Sequence, residues 1–253
     1  MREPDLLYQL YERRLLAGLD TSRMPRHVGV ILDGNRRWAR AVGMPPAHGH
    51  RRGADKITDL LEWSEEVGVE VVTMWMLSTD NLHRAPEEVN DLLDIIAAAV
   101  ETLAETGRWR LTFVGSSDLL PQAVAERLRT AVARTDGVRG MQVNVAIGYG
   151  GRDEIADAVR SLLRERAAAG ESLESVAETL SVGDIADHLY TKGQPDPDLV
   201  IRASGEQRIG GFLLWQSVHS EYYFCEAFWP DFRKVDFLRA LRSYAQRERR
   251  LGR

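Results

Sequence analysis

The residues best suited to chemistry lie in three polar stretches, each following an apolar run. The first is Val28–Arg40, VGVILDGNRRWAR, where the apolar run stops at Asp33-Gly34-Asn35 and Arg36, Arg37, Trp38 and Arg40 follow at once. An Asp-Gly turn with Asn35 capping a helix would be ordinary. Three arginines beside a helix N-terminus are not, because that end of a helix repels cations and attracts anions. Bound phosphate resolves the conflict. A metal-binding carboxylate, free backbone amides and guanidinium donors are the parts that hold a diphosphate with its magnesium ion.

The second stretch is Ser78-Thr79-Asp80-Asn81, with Arg84 beyond it. Alone it is explained as well by turn and N-cap chemistry, and spacing does not make Asn81 a proton relay. The third, Arg202-Ala203-Ser204-Gly205-Glu206-Gln207-Arg208, separates two arginines by small and polar residues. It reads either as a bidentate diphosphate clamp or as a solvated loop with Arg202 paired to an acid. Glu221, beside Tyr222, Tyr223 and Phe224, has no claim over Glu226 or Asp231 on these grounds. His48 and His50 flank Gly49, but no third metal ligand goes with them, so phosphate contact by one of them is the simpler reading. His188, His219 and the tryptophans Trp63, Trp109 and Trp229 read as structural.

These stretches need elements to hold them. Leu6, Leu7, Leu10, Leu15, Leu16 and Leu19 fall near helical spacing and predict an N-terminal packing helix, broken at Met24–Pro25. His27–Leu32 and Val69–Leu77 read as buried strands, with a Gly/Pro loop over Gly43–Gly53 and a helix over Ala54–Val67 between them. Ser78–Arg84 reads as a polar loop, and Pro86 opens a long helix with acids in its first turn. Further strands are expected at Arg110–Val114, Gln142–Ile147 and Asp198–Arg202, with helices over Gln122–Arg134, Asp153–Ala169 and Val235–Arg253. Strand and helix alternate without a composition break, which predicts one α/β domain on a largely parallel sheet. In such sheets ligands sit outside the carboxyl ends of the strands, where all three polar stretches fall.

Bulk properties narrow the class. At 253 residues the chain can bury a full core, and a net charge of −5 argues against a general nucleic-acid binder. The single Cys225 excludes an intramolecular disulfide and a cysteine zinc cage and fits a reducing, cytoplasmic setting. The N-terminus mixes charges into its apolar pattern, unlike a signal peptide, and no apolar run approaches a membrane span.

Taken together, HVGVILDGNRRWAR, STDNLHR, VNVAIGYGGRDEI, PDPDLVIRASGEQR, FLLWQSVHSEYYFCEAFWPDF and the RLG near the C-terminus resemble the cis-prenyltransferases, the undecaprenyl diphosphate synthase-like enzymes. The similarity is greatest to the actinobacterial short-chain Z,E-farnesyl diphosphate synthases. The resemblance implies a single catalytic domain over residues 1–253, with an N-terminal helix (1–24) and a C-terminal helix and RxG tail (235–253). It implies six mostly parallel strands surrounded by helices, a hydrophobic tunnel and a homodimer. The implied reaction condenses isopentenyl diphosphate with an allylic diphosphate, geranyl diphosphate being the expected starter, to a short Z-prenyl diphosphate. Transient membrane contact at product release is a further expectation.

Position by position, the resemblance makes Asp33 the essential aspartate, acting with Mg2+, and Glu221 a second magnesium-linked carboxylate. Gly34, Asn35, Arg36, Arg37, Trp38 and His50 match the allylic diphosphate site. Ser78, Thr79, Asp80 and Asn81 match the loop between the substrates, with Asn81 assisting deprotonation and Arg84 near the allylic end. Arg202, Ser204 and Arg208 match the grip on isopentenyl diphosphate. Arg250 and Gly252 match the tail that reaches across the dimer. Four departures stand out: Arg36 for the usual glycine, Pro46 for a phosphate-binding arginine, Leu82 for tryptophan and Gly210 for serine. Met76 replaces a small tunnel residue, which predicts a short product, although Trp75, Met76 and Leu77 suit a core strand equally. A longer-chain synthase and a non-catalytic subunit of a two-component enzyme are the alternatives; the latter typically lacks the aspartate and arginines kept here. A Rossmann-like nucleotide binder would need a glycine-rich turn that LDGNRRW does not provide.

Overall fold

The structure, a computed structural model, describes residues 6–247. Arg250 and Gly252 lie outside the described residues. Helix α1 (Leu6–Ala17) precedes β1 (His27–Ile31), whose five residues are all buried. Helices α2 (Asn35–Ala41) and α3 (Pro46–Glu66) follow, then β2 (Val71–Ser78), α4 (Pro86–Glu105), β3 (Arg110–Val114), α5 (Gln122–Ala133) and β4 (Gln142–Tyr149). The second half holds α6 (Gly151–Ala168), the short α7 (Leu173–Thr179) and α8 (Val182–Ala186), then β5 (Leu199–Arg202), β6 (Glu221–Phe224) and α9 (Lys234–Gln246).

The six strands form one sheet in the order β3-β4-β2-β1-β5-β6, and every pairing is parallel. From central β1 the chain builds outward first through β2 and later through β5. That reversal opens a crevice at the carboxyl ends of β1, β2 and β5. β1 shows why a continuous apolar run was needed, since both faces are covered. Val28 and Val30 join the large core under α3, α4, α5 and α9, while Ile31 joins a smaller cluster with Val200, Phe212 and Tyr149. Gly29 is small of necessity: a Cβ there would meet the Phe212 ring at 2.9 Å.

Three expectations change. The Gly43–Gly53 loop is mostly helix, because α3 starts at Pro46, a proline at the first helical position. Gly43, with a φ of 71°, does turn the chain, but Gly49 and Gly53 mark close approach instead. A Cβ at Gly49 would lie 2.1 Å from the Asn35 carbonyl oxygen, and one at Gly53 would lie 2.4 Å from Asn35 Oδ1. The Ser78–Arg84 stretch is a 3-10 turn (Thr79–His83) closed by a capping box between Ser78 and Asn81. The four-residue β6, too short to stand out in an aromatic run, completes the sheet. No helix among the described residues is long and apolar enough to cross a membrane.

Candidate active site

β1 delivers Asp33 to the crevice two residues past its end, and β5 delivers Arg202 as its last residue, opposite Ile31 in register. The next strand end adds Ser78 and the capped turn. Gly34 lets α2 begin immediately. Its φ of 101° is left-handed, and a Cβ would stand 2.7 Å from the Phe228 ring.

Asp33 is the hub. Its Oδ2 accepts from Arg202 at 2.7 Å, from Ser204 Oγ at 2.9 Å and from Arg37 at 3.2 Å. Burial pushes its carboxyl up, but the hydrogen bonds from Arg202 and Ser204 and the charges of Arg202 and Arg37 outweigh it, so the group titrates below its ordinary value. Arg37 also donates to Ser204 at 2.7 Å and Glu206 at 2.9 Å, and packs over the Phe228 ring. Arg202, buried, donates to the Arg208 carbonyl, and Arg208 pairs with Glu206. Carboxylates thus hold guanidinium groups whose charge and fork geometry also suit phosphate.

A second basic group lines the same crevice. Glu88 pairs with Arg36 at 3.4 Å and Arg84 at 3.1 Å. Burial and then the Arg36 charge lower the pKa of Arg84. Buried His50 is pushed down to about 4, by burial first and then by Arg84, so its imidazole is neutral near pH 7. Its Nε2 is buried without a partner, as is Nε of Arg202. Unmade hydrogen bonds of this kind are costly, and both belong to residues lining the same cavity.

That cavity measures about 590 Å³ and is lined by Asp33, Gly34, Asn35, Arg36, Arg37, Arg40, His50, Met76, Ser78, Asp80, Asn81, Arg84, Arg202, Glu206, Arg208 and Gly210, among others. Its apolar part comprises Ile31, Leu32, Trp75, Met76, Leu77 and Leu92. The β2–β4 register shifts on either side of Leu77, so Met76 sits in a bulge and successive residues from Trp75 to Ser78 all reach the cavity. Trp75 and Met76 are half-buried cavity residues, while Leu77 is also core.

Other expected residues fall elsewhere. Ser204 acts from beneath, through Asp33 and Arg37. Trp38 stacks on His48 at 5.8 Å, and Leu82 packs on the main core. Thr79 lines a neighbouring cavity with Tyr149, Gly150 and Arg152. Pro46 is an exposed helix start outside the cavity lining, whereas Arg36 lines it. Glu221 pairs with Leu199 at the start of β6, whereas Arg202 ends β5, so the strands carry Glu221 and Asp33 to opposite ends of the sheet. Glu221 is ion-paired to Arg247 instead. The described residues do not assemble an Asp33–Glu221 metal site. Arg40, one of the three arginines that follow Asn35, does line the cavity. Sequence reading gave no role to Glu88 or Phe228, and named Glu206 only as a residue between two candidate arginines.

A family model described as "Putative undecaprenyl diphosphate synthase" matches residues 31–252. This chain belongs to the undecaprenyl diphosphate synthase family. Within the family, a (2Z,6E)-farnesyl diphosphate synthase from Thermobifida fusca is 62% identical over 247 residues, covering 97% of each chain. A short-chain Z-isoprenyl diphosphate synthase from Mycobacterium leprae is 53% identical over 256 residues, covering 100% of this chain and 97% of the relative. The crystal structure of lavandulyl diphosphate synthase from Lavandula x intermedia in complex with dimethylallyl diphosphate matches with a TM-score of 0.85 at 30% identity. It covers 92% of this chain and 100% of its own.

The family implies a divalent metal, and the donor set fits one held mainly by substrate. Arg37, Arg202 and Ser204 all donate to Oδ2 of Asp33, and none of them to Oδ1. No cluster of three His, Cys, Asp or Glu among the described residues could cage an ion. One carboxylate, with phosphate oxygens and water completing the shell, is the usual manner of binding Mg2+ at phosphate sites.

Proposed function

We propose that this chain is a Z-isoprenyl diphosphate synthase that joins isopentenyl diphosphate to geranyl diphosphate and releases diphosphate, giving (2Z,6E)-farnesyl diphosphate. The observation that carries it is one cavity lined by two basic groups, Arg36–His50–Arg84 and Arg37–Arg202–Arg208, the second gathered on Asp33. Two anions fit side by side there, over a floor of Trp75, Met76 and Leu92. Names and near-full coverage of the relatives support the same reaction class.

The allylic carbon–oxygen bond breaks, leaving positive charge on carbon and negative charge on the departing diphosphate. Asp33 would hold Mg2+, which when bound would supply Lewis-acid neutralisation of that leaving group. Arg36, Arg84 and neutral His50 donate to the allylic diphosphate, as preorganised donors aimed where charge develops. Arg202, Arg208 and Arg37 hold the isopentenyl diphosphate so that its terminal alkene carbon meets the cation. A proton then leaves carbon two of the isopentenyl unit, and the geometry of the two held diphosphates makes the new double bond cis. Asp33, kept ionised by Arg202, is a weak base, so the departing diphosphate takes the proton and Asn81 orients the group that loses it. Trp75, Met76 and Leu92 exclude water from the cation.

A magnesium-dependent cytoplasmic homodimer, in which the Arg250 and Gly252 tail of one chain serves the other, completes the proposal. A tunnel continuing from the apolar floor belongs to it as well. The test is incubation with labelled isopentenyl diphosphate, Mg2+ and each of dimethylallyl, geranyl and farnesyl diphosphate. Expected are a preference for geranyl diphosphate and a farnesyl-sized product. A ladder of long products would favour the longer-chain alternative, and no incorporation with any starter would overturn the enzyme.

A further inference from the structure

The turn between α2 and α3 points outward with apolar residues. Val42 is 50% exposed and Met44 43% exposed, and Ala41, Pro45 and Pro46 around them are exposed too. The turn is firmly built. Val42, Gly43 and Met44 donate backbone N–H groups to Trp38, Arg40 and Ala39 carbonyls at 3.1, 3.2 and 2.8 Å. Trp38 stacks on His48 across it, and α3 is pressed against Asn35 through Gly49. About half of each of these two apolar side chains is left in solvent.

Their neighbours are basic. Arg40, at the end of α2, and Arg51 and Arg52, on the outer side of α3, are exposed and make no ion pair among the described residues. Asp55, the first acid of α3, pairs with none of them. In a chain of net charge −5 this is a local excess of positive charge. Exposed apolar tips flanked by unpaired arginines match the interface of an anionic bilayer, where apolar side chains enter the acyl boundary and arginines meet headgroup phosphates. An acidic protein would answer the charge but leaves the protruding Val42 and Met44 without an apolar recess.

We propose that the Ala41–Pro46 turn, with Arg51 and Arg52, docks this protein on an anionic lipid surface. Arg40 lines the reaction cavity and also borders the turn, so docking places the cavity mouth next to the membrane. This adds a surface to the proposed function, and its test does not depend on turnover.

The full chain is sedimented with phosphatidylcholine vesicles and with vesicles containing phosphatidylglycerol. Binding is expected only to the anionic vesicles and is expected to weaken with salt. Arg51→Gln with Arg52→Gln should reduce it roughly thirty-fold, since each basic residue near such a surface contributes about five-fold. Val42→Ser with Met44→Ser should also weaken it while sparing its salt dependence. Both pairs should keep the unfolding midpoint and the turnover of the free protein. No binding to anionic vesicles, or equal binding by wild type and both variants, overturns the proposal. So does capture by acidic protein alone. Loss of turnover with vesicle binding intact would fault the proposed reaction and leave the docking surface standing.

Discussion

Asp33 and Arg202 lie 169 residues apart in the chain and 2.7 Å apart in space. The parallel pairing of β1 with β5 brings them together, since Ile31 and Arg202 are register partners. Arg202 is buried and its counter-charge is this carboxylate, while Ser204 and Arg37 complete the hold.

Asp33→Asn keeps the shape and removes the charge that organises the site. Steady-state assays should show turnover lower by about 10²–10³-fold, the usual effect of losing a preorganised electrostatic group. Stability should fall by less than the roughly 3–5 kcal/mol seen when a fully buried pair is broken, because Asp33 is 27% exposed. Wild-type turnover would remove Asp33 from the chemistry.

His50 makes stability depend on pH. Its folded pKa of about 4 lies below the ordinary 6.5, so between those values the unfolded chain binds a proton that the folded one does not. Stability is therefore complete above pH 6.5 and is lost as pH falls toward 4. Buried His27, also pushed to about 4, acts in the same sense. Denaturant titrations should show His50→Gln flattening part of this slope and His27→Gln another part. Pyrophosphate should raise the His50 pKa, visible by NMR, because an anion favours the charged imidazole. A pKa unmoved by pyrophosphate would take His50 out of the anion site.

Glu206 occupies donors that a diphosphate would use, pairing with both Arg37 and Arg208. Glu206→Gln should weaken that competition and tighten pyrophosphate binding several-fold by calorimetry. Unchanged or weaker binding would mean that Glu206 positions the arginines rather than competing for them.

Gly49→Ala tests the packing of α2 on α3. An interior glycine-to-alanine change would ordinarily help a helix by about 1 kcal/mol. Here the added carbon meets the Asn35 carbonyl at 2.1 Å, so a loss of roughly 1–3 kcal/mol is expected in chemical denaturation. Turnover should fall several-fold, since α2 carries Arg36 and Arg37. A stabilised variant would refute the close approach.

Gly49 and Gly53 mark where sequence reading failed and why. Glycines at 43, 49 and 53 beside two prolines read as a loop, because local composition cannot tell a turn glycine from one that admits a neighbouring backbone. The strand ends were legible because apolar runs stopping at polar residues are a local signal. They led to Asp33, Ser78 and Arg202. Glu88 and Phe228 were not legible, since their roles come from packing between distant elements. Glu221 was chosen by resemblance, and strand register carries it to the other end of the sheet from Asp33.

Chain length is the sharpest test of the cavity floor. Met76 sits in the β2 bulge and lines the cavity with Leu92, whereas Met74, two residues earlier on the same strand, is wholly buried in the main core. Truncating Met76 should open room for the growing tail with little loss of stability, so Met76→Ala should lengthen the product by at least one isoprene unit on mass analysis. Leu92→Ala should add to that effect. Met74→Ala should instead cost about 2–5 kcal/mol by leaving a cavity in the core, with product length unchanged. If Met76→Ala still gave the wild-type product, the floor would have to be assigned to Leu92 and its neighbours on α4.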